Sequence, residues 1–271
     1  GVRPAVVHVW IKRGLVTGER HDTDIVRLAD DAGEELYPVH RIDKVTSGAV
    51  LFAKSVEVHG GLTRQFNRRT VDKAYLVVAR SPGLPEFGTI DLPLSVGRKN
   101  RVRIAAPRDA IVMDRSTSRW SVPGSTVRLG QKVYPSLTTF ARLWEGGGRT
   151  ILLAKPLTGR RHQIRVHLAW IGHPIEGDPL FDKAPTTRAM LHSWHLALDA
   201  SWSDGHRIQV EASPGADFWS VLGRRWSDSR TEATLDVARR TLLTLKELED
   251  TQTLADNPEG DGEGPGLPSE G

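Results

Sequence analysis

The chain has 271 residues, of which 38% are apolar and 26% charged, enough to bury one core in an ordinary globular domain. Cysteine is absent, which excludes disulfides, thiolate nucleophiles and cysteine-rich zinc sites, and no apolar run approaches the ~20 residues that a bilayer span needs. The formal charge is +4, but residues 247–271 hold eight acids and no Lys or Arg, so the rest sets 37 basic residues against 25 acidic ones and suits a polyanionic partner.

No short apolar stretch of signal-peptide type opens the sequence, so a cytoplasmic protein without a membrane segment is expected. The first strong element is residues 49–53, an apolar run that reads as a buried strand, and residues 74–79 read the same way. Between them, residues 57–69 are long enough for one helix. Further strands are expected at 90–94, 102–106, 136–144, 150–155, 190–198 and 207–212. Residues 157–178 read as a helix with Thr158 as N-cap, Ile164, Leu168 and Ile171 as its apolar stripe, and Gly172 and Pro174 as its stop. On that reading Arg161 and Arg165, four apart, share one face. Leu235, Val237, Ala238, Leu242, Leu243, Leu245 and Leu248 predict an amphipathic helix over 231–251, followed by a disordered acidic tail over 252–271.

Three segments carry chemistry. In the first, His40-Arg41-Ile42-Asp43-Lys44 runs directly into the strand at Ala49. Two readings fit Asp43: a solvated turn residue, or a site carboxylate between two cations. In the second, Lys73-Ala74-Tyr75 opens a buried strand, where Tyr75 reads equally as a core aromatic. The third, 159–181, is dense in Arg, His and Gln around an apolar stripe. Its His162, His167 and His173 lie five and six apart, which does not put them on one helical face, so no metal is expected.

Taken in order, HRID at 40–43, KAY at 73–75, GRRHQIRVHLAWIGHPIEGDPLF at 159–181 and LHSW at 191–194 resemble the RluA-type pseudouridine synthases. The resemblance covers about residues 39–212 and implies a mixed α+β catalytic fold: a largely antiparallel, bisected sheet flanked by helices and loops, with a central active-site cleft. It implies a cofactor-independent isomerisation in which the N1–C1′ bond of a uridine breaks, the uracil turns, and C5 joins C1′. A sequence without a phosphate-binding glycine loop or a dinucleotide fingerprint suits that chemistry.

The same resemblance makes Asp43 the catalytic carboxylate, acting as a nucleophile on the ribose or on the uracil, or as the base that takes a ribose proton. Arg165 is then its cationic partner, and Tyr75 stacks on the uracil and shares in proton transfer at C5. Leu191 packs on the base, and Arg41 fills the space that the flipped uridine leaves in the RNA. Lys73, Arg160, Arg161, His162 and Gln163 are expected to contact substrate. Phosphate contacts are expected from the basic stretch 97–132, which opens with Arg98, Lys99, Arg101 and Arg103. The partner is structured ribosomal or transfer RNA, met by a monomer.

Ile42 stands where the family usually has Leu, Arg161 where it has Thr, and only Lys12-Arg13-Gly14 resembles the family's N-terminal strand. The expected organisation is a catalytic domain over 1–230 without an S4-type RNA-binding domain, then the C-terminal helix and tail. Two other readings compete: a silent RNA-binding module of the same fold, and a glycoside hydrolase. The hydrolase would need a second acid, for which Glu176 and Asp178, read as structural, are the candidates.

Overall fold

Apolar runs too short for helices form the centre of a large sheet in the computed structural model, which describes residues 7–12, 36–127, 132–200 and 206–255. The first half holds β1 (Val7–Lys12), β2 (Tyr37–Pro38), β3 (Ser47–Ala53), α1 (Val56–Arg68), β4 (Asp72–Arg80), β5 (Phe87–Asp91) and β6 (Leu94–Val96). The basic stretch forms β7 (Val102–Ile104), β8 (Val112–Asp114) and β9 (Arg119–Ser121). Then come β10 (Val133–Tyr134), β11 (Leu137–Gly146), β12 (Arg149–Pro156), α2 (Gln163–Trp170), β13 (Leu191–Asp199), β14 (Arg207–Glu211), α3 (Ala216–Ser220) and α4 (Asp228–Ala255).

The strand order is β1-β3-β13-β4-β12-β11-β5-β9-β8, and β10-β6-β7 forms a separate small sheet. Among the described residues, only β3–β13 and β5–β9 run parallel; the other pairs are antiparallel. β3 pairs with β13 only at Ser47 and Gly48, and β14 takes over the same strand from His195 to Asp199. The sheet therefore divides at that crossing. Gly48 makes the approach possible: its φ is 111°, and a Cβ there would stand 2.2 Å from the Ser193 carbonyl oxygen. One core gathers β4, β11, β12, α2 and α4, and a smaller one lies between β3 and Leu62 of α1.

Several expected boundaries shift for physical reasons. The strand predicted over 90–94 breaks into β5 and β6, because Pro93 cannot donate to a ladder. The helix predicted from Thr158 begins only at Gln163: His162 sits left-handed at φ 57° and Thr158 is no N-cap. The C-terminal helix is longer than expected. It runs Asp228–Ala255, so residues 252–255 belong to it rather than to a tail, and Leu235, Ala238 and Leu245 join the main core. Residues 256–271 and Arg13-Gly14 lie outside the described residues. No helix among the described residues is long and apolar enough to cross a membrane.

Candidate active site

Asp43 lies in the loop that enters β3, closed by a bond from the Thr46 N–H to the Asp43 carbonyl (2.9 Å). His40 holds that loop in place. Its Nε2 accepts from the Leu51 N–H at 2.9 Å, and its ring stacks on Phe66 of α1 at 4.6 Å and 8°. Burial, then the nearby Lys73, lowers the imidazole to about 4, so the acceptor nitrogen stays unprotonated at neutral pH. Sequence reasoning gave His40 no role, although its place in the HRID segment was a signal.

Arg165, in the first turn of α2, is 3% exposed and carries two carboxylates. Its Nε and Nη2 donate to the two oxygens of Asp178 at 2.8 and 2.6 Å, and Nη1 donates to Asp43 Oδ2 at 3.2 Å. Asp178 is fully buried. Its loop is tied to β4 by the bond from the Glu176 N–H to the Val78 carbonyl (2.9 Å) and turns at Gly177, φ 72°, where a Cβ would meet the Arg188 carbonyl at 2.1 Å. The opposing carboxylates favour the charged guanidinium and raise its pKa against the cost of burial. Asp178 is thus structural in a specific sense: it sets Arg165 against Asp43. Glu176 instead pairs with Arg80 and Arg149.

Tyr75 comes from β4 and faces Asp43. Burial, then the Asp43 charge, pushes its hydroxyl up to about 12, with Ser193 opposing. At neutral pH it is a protonated phenol. His162 Nε2 stands 3.8 Å from Asp43 Oδ1, yet burial keeps its pKa below the usual histidine value despite that neighbour. Lys73 at the rim is lowered by burial, then by Arg69.

These groups line one cavity of about 300 Å³, shared with Arg41, Lys73, Thr158, Arg160, Gln163 and Leu191. Arg41 is exposed at its edge and Leu191 is 3% exposed. Gln163 lines the cavity with its amide engaged internally. Its Oε1 accepts from Thr158 Oγ1 (2.6 Å) and the Arg160 N–H (3.2 Å), while Nε2 donates to the Leu137 carbonyl (2.8 Å) and Thr138 Oγ1 (3.0 Å). Arg161 and Arg165 do not share a face: Arg161 precedes the helix and reaches Asn100, contacting both its carbonyl and, at 3.2 Å, its Oδ1. Arg160 lies over the Tyr134 ring at 5.2 Å.

Arg98, Lys99 and Arg101 are exposed on the turn between β6 and β7, outside the cavity, with Arg103 on β7 itself. The other two histidines go elsewhere. His167 is buried between Thr138 Oγ1 and the Leu92 carbonyl, and His173 bonds the Ser81 carbonyl. No group of three or more metal-ligating side chains gathers among the described residues.

The family model described as RNA pseudouridylate synthase matches residues 7–170, so the match includes β1, beyond the segment in which the sequence resemblance was visible. The tRNA pseudouridine synthase C of Pasteurella multocida is 34% identical over 190 residues, 66% of this chain and 74% of that protein. The ribosomal large subunit pseudouridine synthase D of Nitrosomonas europaea is 33% identical over 195 residues, 68% of this chain. Pseudouridylate synthase RPUSD2 of Homo sapiens is 33% identical over 164 residues, 60% of this chain. The chain spans 49% of the length of the Nitrosomonas protein and 26% of the human one. Among solved structures, human RNA Pseudouridylate Synthase Domain Containing 4 superposes with a TM-score of 0.60 at 22% identity, covering 78% of this chain and 87% of that one. Human RNA Pseudouridylate Synthase Domain Containing 1 gives 0.57 at 26% identity, covering 81% and 88%.

Proposed function

Because the chain belongs to the RNA pseudouridylate synthase family, we propose that it isomerises a uridine of structured ribosomal or transfer RNA to pseudouridine, with Asp43 as the catalytic carboxylate. The observation that carries this is the meeting of Asp43, Tyr75 and Arg165, from three separate segments, in one cavity of about 300 Å³. The target base must leave its stack to enter, at a cost of roughly a few kcal/mol. On this reading Arg41, exposed at the cavity edge, fills the gap.

Asp43 starts the reaction at the sugar, by attack on C1′ or by removing a ribose proton. The N1–C1′ bond breaks with its electrons left on N1, the uracil turns, and C5 bonds to C1′ as the bond from Asp43 to C1′ breaks or, on the proton-removal route, as Asp43 returns the proton to the ribose, so the carboxylate is restored. C5 then loses its proton, and N1 gains one. No redox partner is needed. Arg165 offers a fixed positive charge beside the leaving ring, preorganised by Asp178. Tyr75 begins as a neutral phenol and, on this reading, shares in the proton transfer at C5.

All of these groups come from one chain, which supports action as a monomer, and the reading needs neither metal nor cofactor. A cytoplasmic location goes with an RNA substrate. The hydrolase reading lacks its second acid: both oxygens of Asp178 are committed to Arg165, and the side chain is wholly buried.

The test is incubation of the full chain with total RNA from cells that lack it, followed by mapping of pseudouridine. Wild-type protein should create new sites and Asp43→Ala none. An Asp43→Ala variant that modifies as well as wild type would overturn the mechanism. Binding without modification by wild type would leave a silent RNA-binding module, and released uracil would point to hydrolysis.

A further inference from the structure

Beside the cavity runs a larger groove of about 1260 Å³ that meets it at His162, a residue lining both. Its lining is cationic at Arg98, Lys99 and Arg101 on the β6–β7 turn, drawn to the loop before α2 by the bond from Arg161 to Asn100. The lining also carries exposed apolar side chains. Val96, Leu180 and Phe181 are 45%, 47% and 40% exposed, and these three are among the seven large apolar side chains left exposed in the described residues. All three line this one groove. Leu180 and Phe181 stand on the turn of Asp178: the Leu180 N–H donates to Asp178 Oδ1 (2.9 Å) and the Phe181 N–H to its carbonyl (3.0 Å). Leu180 and Phe181 are therefore held by the same residue that sets Arg165.

Cations that share a groove with an exposed aromatic suit a nucleotide whose base lies free of its partner, because phosphate oxygens take the charges and an open base face takes the ring. A paired stem offers phosphates but keeps its base faces stacked, and it would leave Phe181 in water. Resting on the function proposed above, we propose that this groove binds an unpaired nucleotide adjacent to the target uridine, its base against Phe181 and Leu180 and its phosphates on Arg98, Lys99 and Arg101. The enzyme would thereby select uridines in loops or bulges, through a contact separate from the catalytic cavity.

The probes are three synthetic RNA hairpins, each with one uridine. In the first an unpaired 2-aminopurine lies 5′ of the uridine, in the second it lies 3′, and in the third both neighbours are paired. The full chain should quench the fluorescence of one of the first two. Phe181→Ala should abolish that quenching and weaken binding of that hairpin by about 5- to 150-fold, the range expected for one lost base stack, while binding of the third hairpin stays unchanged. Phe181→Trp should restore both signals, which a folding defect would not allow. Quenching that survives Phe181→Ala, equal weakening of all three hairpins, or no quenching in either of the first two would overturn the proposal. The readout is binding, measured equally with Asp43→Ala, so its failure is distinct from failure of the catalytic reading, which appears as no pseudouridine in total RNA.

Discussion

Removing Asp178 should cost both stability and activity, and removing Asp43 activity alone, although both carboxylates hold the same guanidinium. Asp178 is fully buried and accepts two bonds from Arg165, at 2.8 and 2.6 Å. Breaking a buried pair on one side costs about 3–5 kcal/mol, because a desolvated charge is left behind. Asp43, which stands 3.2 Å from Nη1 in the wild type, stays within reach of the freed guanidinium in Asp178→Ala and offsets part of that penalty, so the loss should fall near ~3 kcal/mol. At roughly 2–3 °C per kcal/mol for a chain of this size, Tm should drop by about 6–9 °C. The guanidinium also loses its setting against Asp43, and a displaced catalytic group costs on the order of 100-fold in rate. Asp43→Ala leaves the Arg165–Asp178 pair intact at a partly exposed position, so its Tm should stay near that of wild type while pseudouridine formation is lost. Thermal melts and single-turnover assays on mapped RNA measure both quantities. A wild-type Tm for Asp178→Ala, or an equal fall in Tm for the two variants, would refute the assignment.

Tyr75→Phe keeps the ring and loses the proton, so RNA affinity should hold while turnover falls by about 100-fold or more; unchanged turnover would remove the hydroxyl from the chemistry. His40, His167 and His192 are each lowered by burial to about 4, below the unfolded value near 6.5. Stability is thus present above pH ~6.5 and lost as pH falls towards ~4, with a slope reaching about 4 kcal/mol per pH unit when three protons are taken up on unfolding. Urea midpoints that stay flat across this window would contradict that. Gly48→Ala places a Cβ 2.2 Å from the Ser193 oxygen, so it should prevent β3 from meeting β13; soluble protein with the wild-type circular dichroism melt would disprove the close approach. Arg98→Ala with Arg101→Ala should make the dependence of log Kd on log salt shallower by about 2, as read from binding titrations at several salt concentrations.

Much of the site was legible before any tertiary structure. HRID, KAY and the long basic motif named Asp43, Tyr75 and Arg165, and the apolar runs located β3, β4, β11, β12 and β13 to within a few residues. The strands were visible because burial on both faces leaves continuous apolar sequence. The short strands β2, β8, β9 and β10, of two or three residues each, carry too few side chains for a pattern to show.

The sequence by itself determined which chemical groups are available and which segments are stiff and apolar, because these follow from residue identity and local periodicity. Only the tertiary structure decided what each group faces. Asp43 and Arg165 are 122 positions apart, and nothing local predicts their contact. Arg161 and Arg165 looked alike on one helical face, yet the left-handed His162 sends the first to Asn100 and leaves the second between two carboxylates. Gln163, expected from the sequence to contact substrate, also braces the loop that begins at Thr158. A side chain's role depends on whichever backbone happens to lie within 3 Å or so of it, and that distance is set by the long-range packing of β3, β4, β13 and α2.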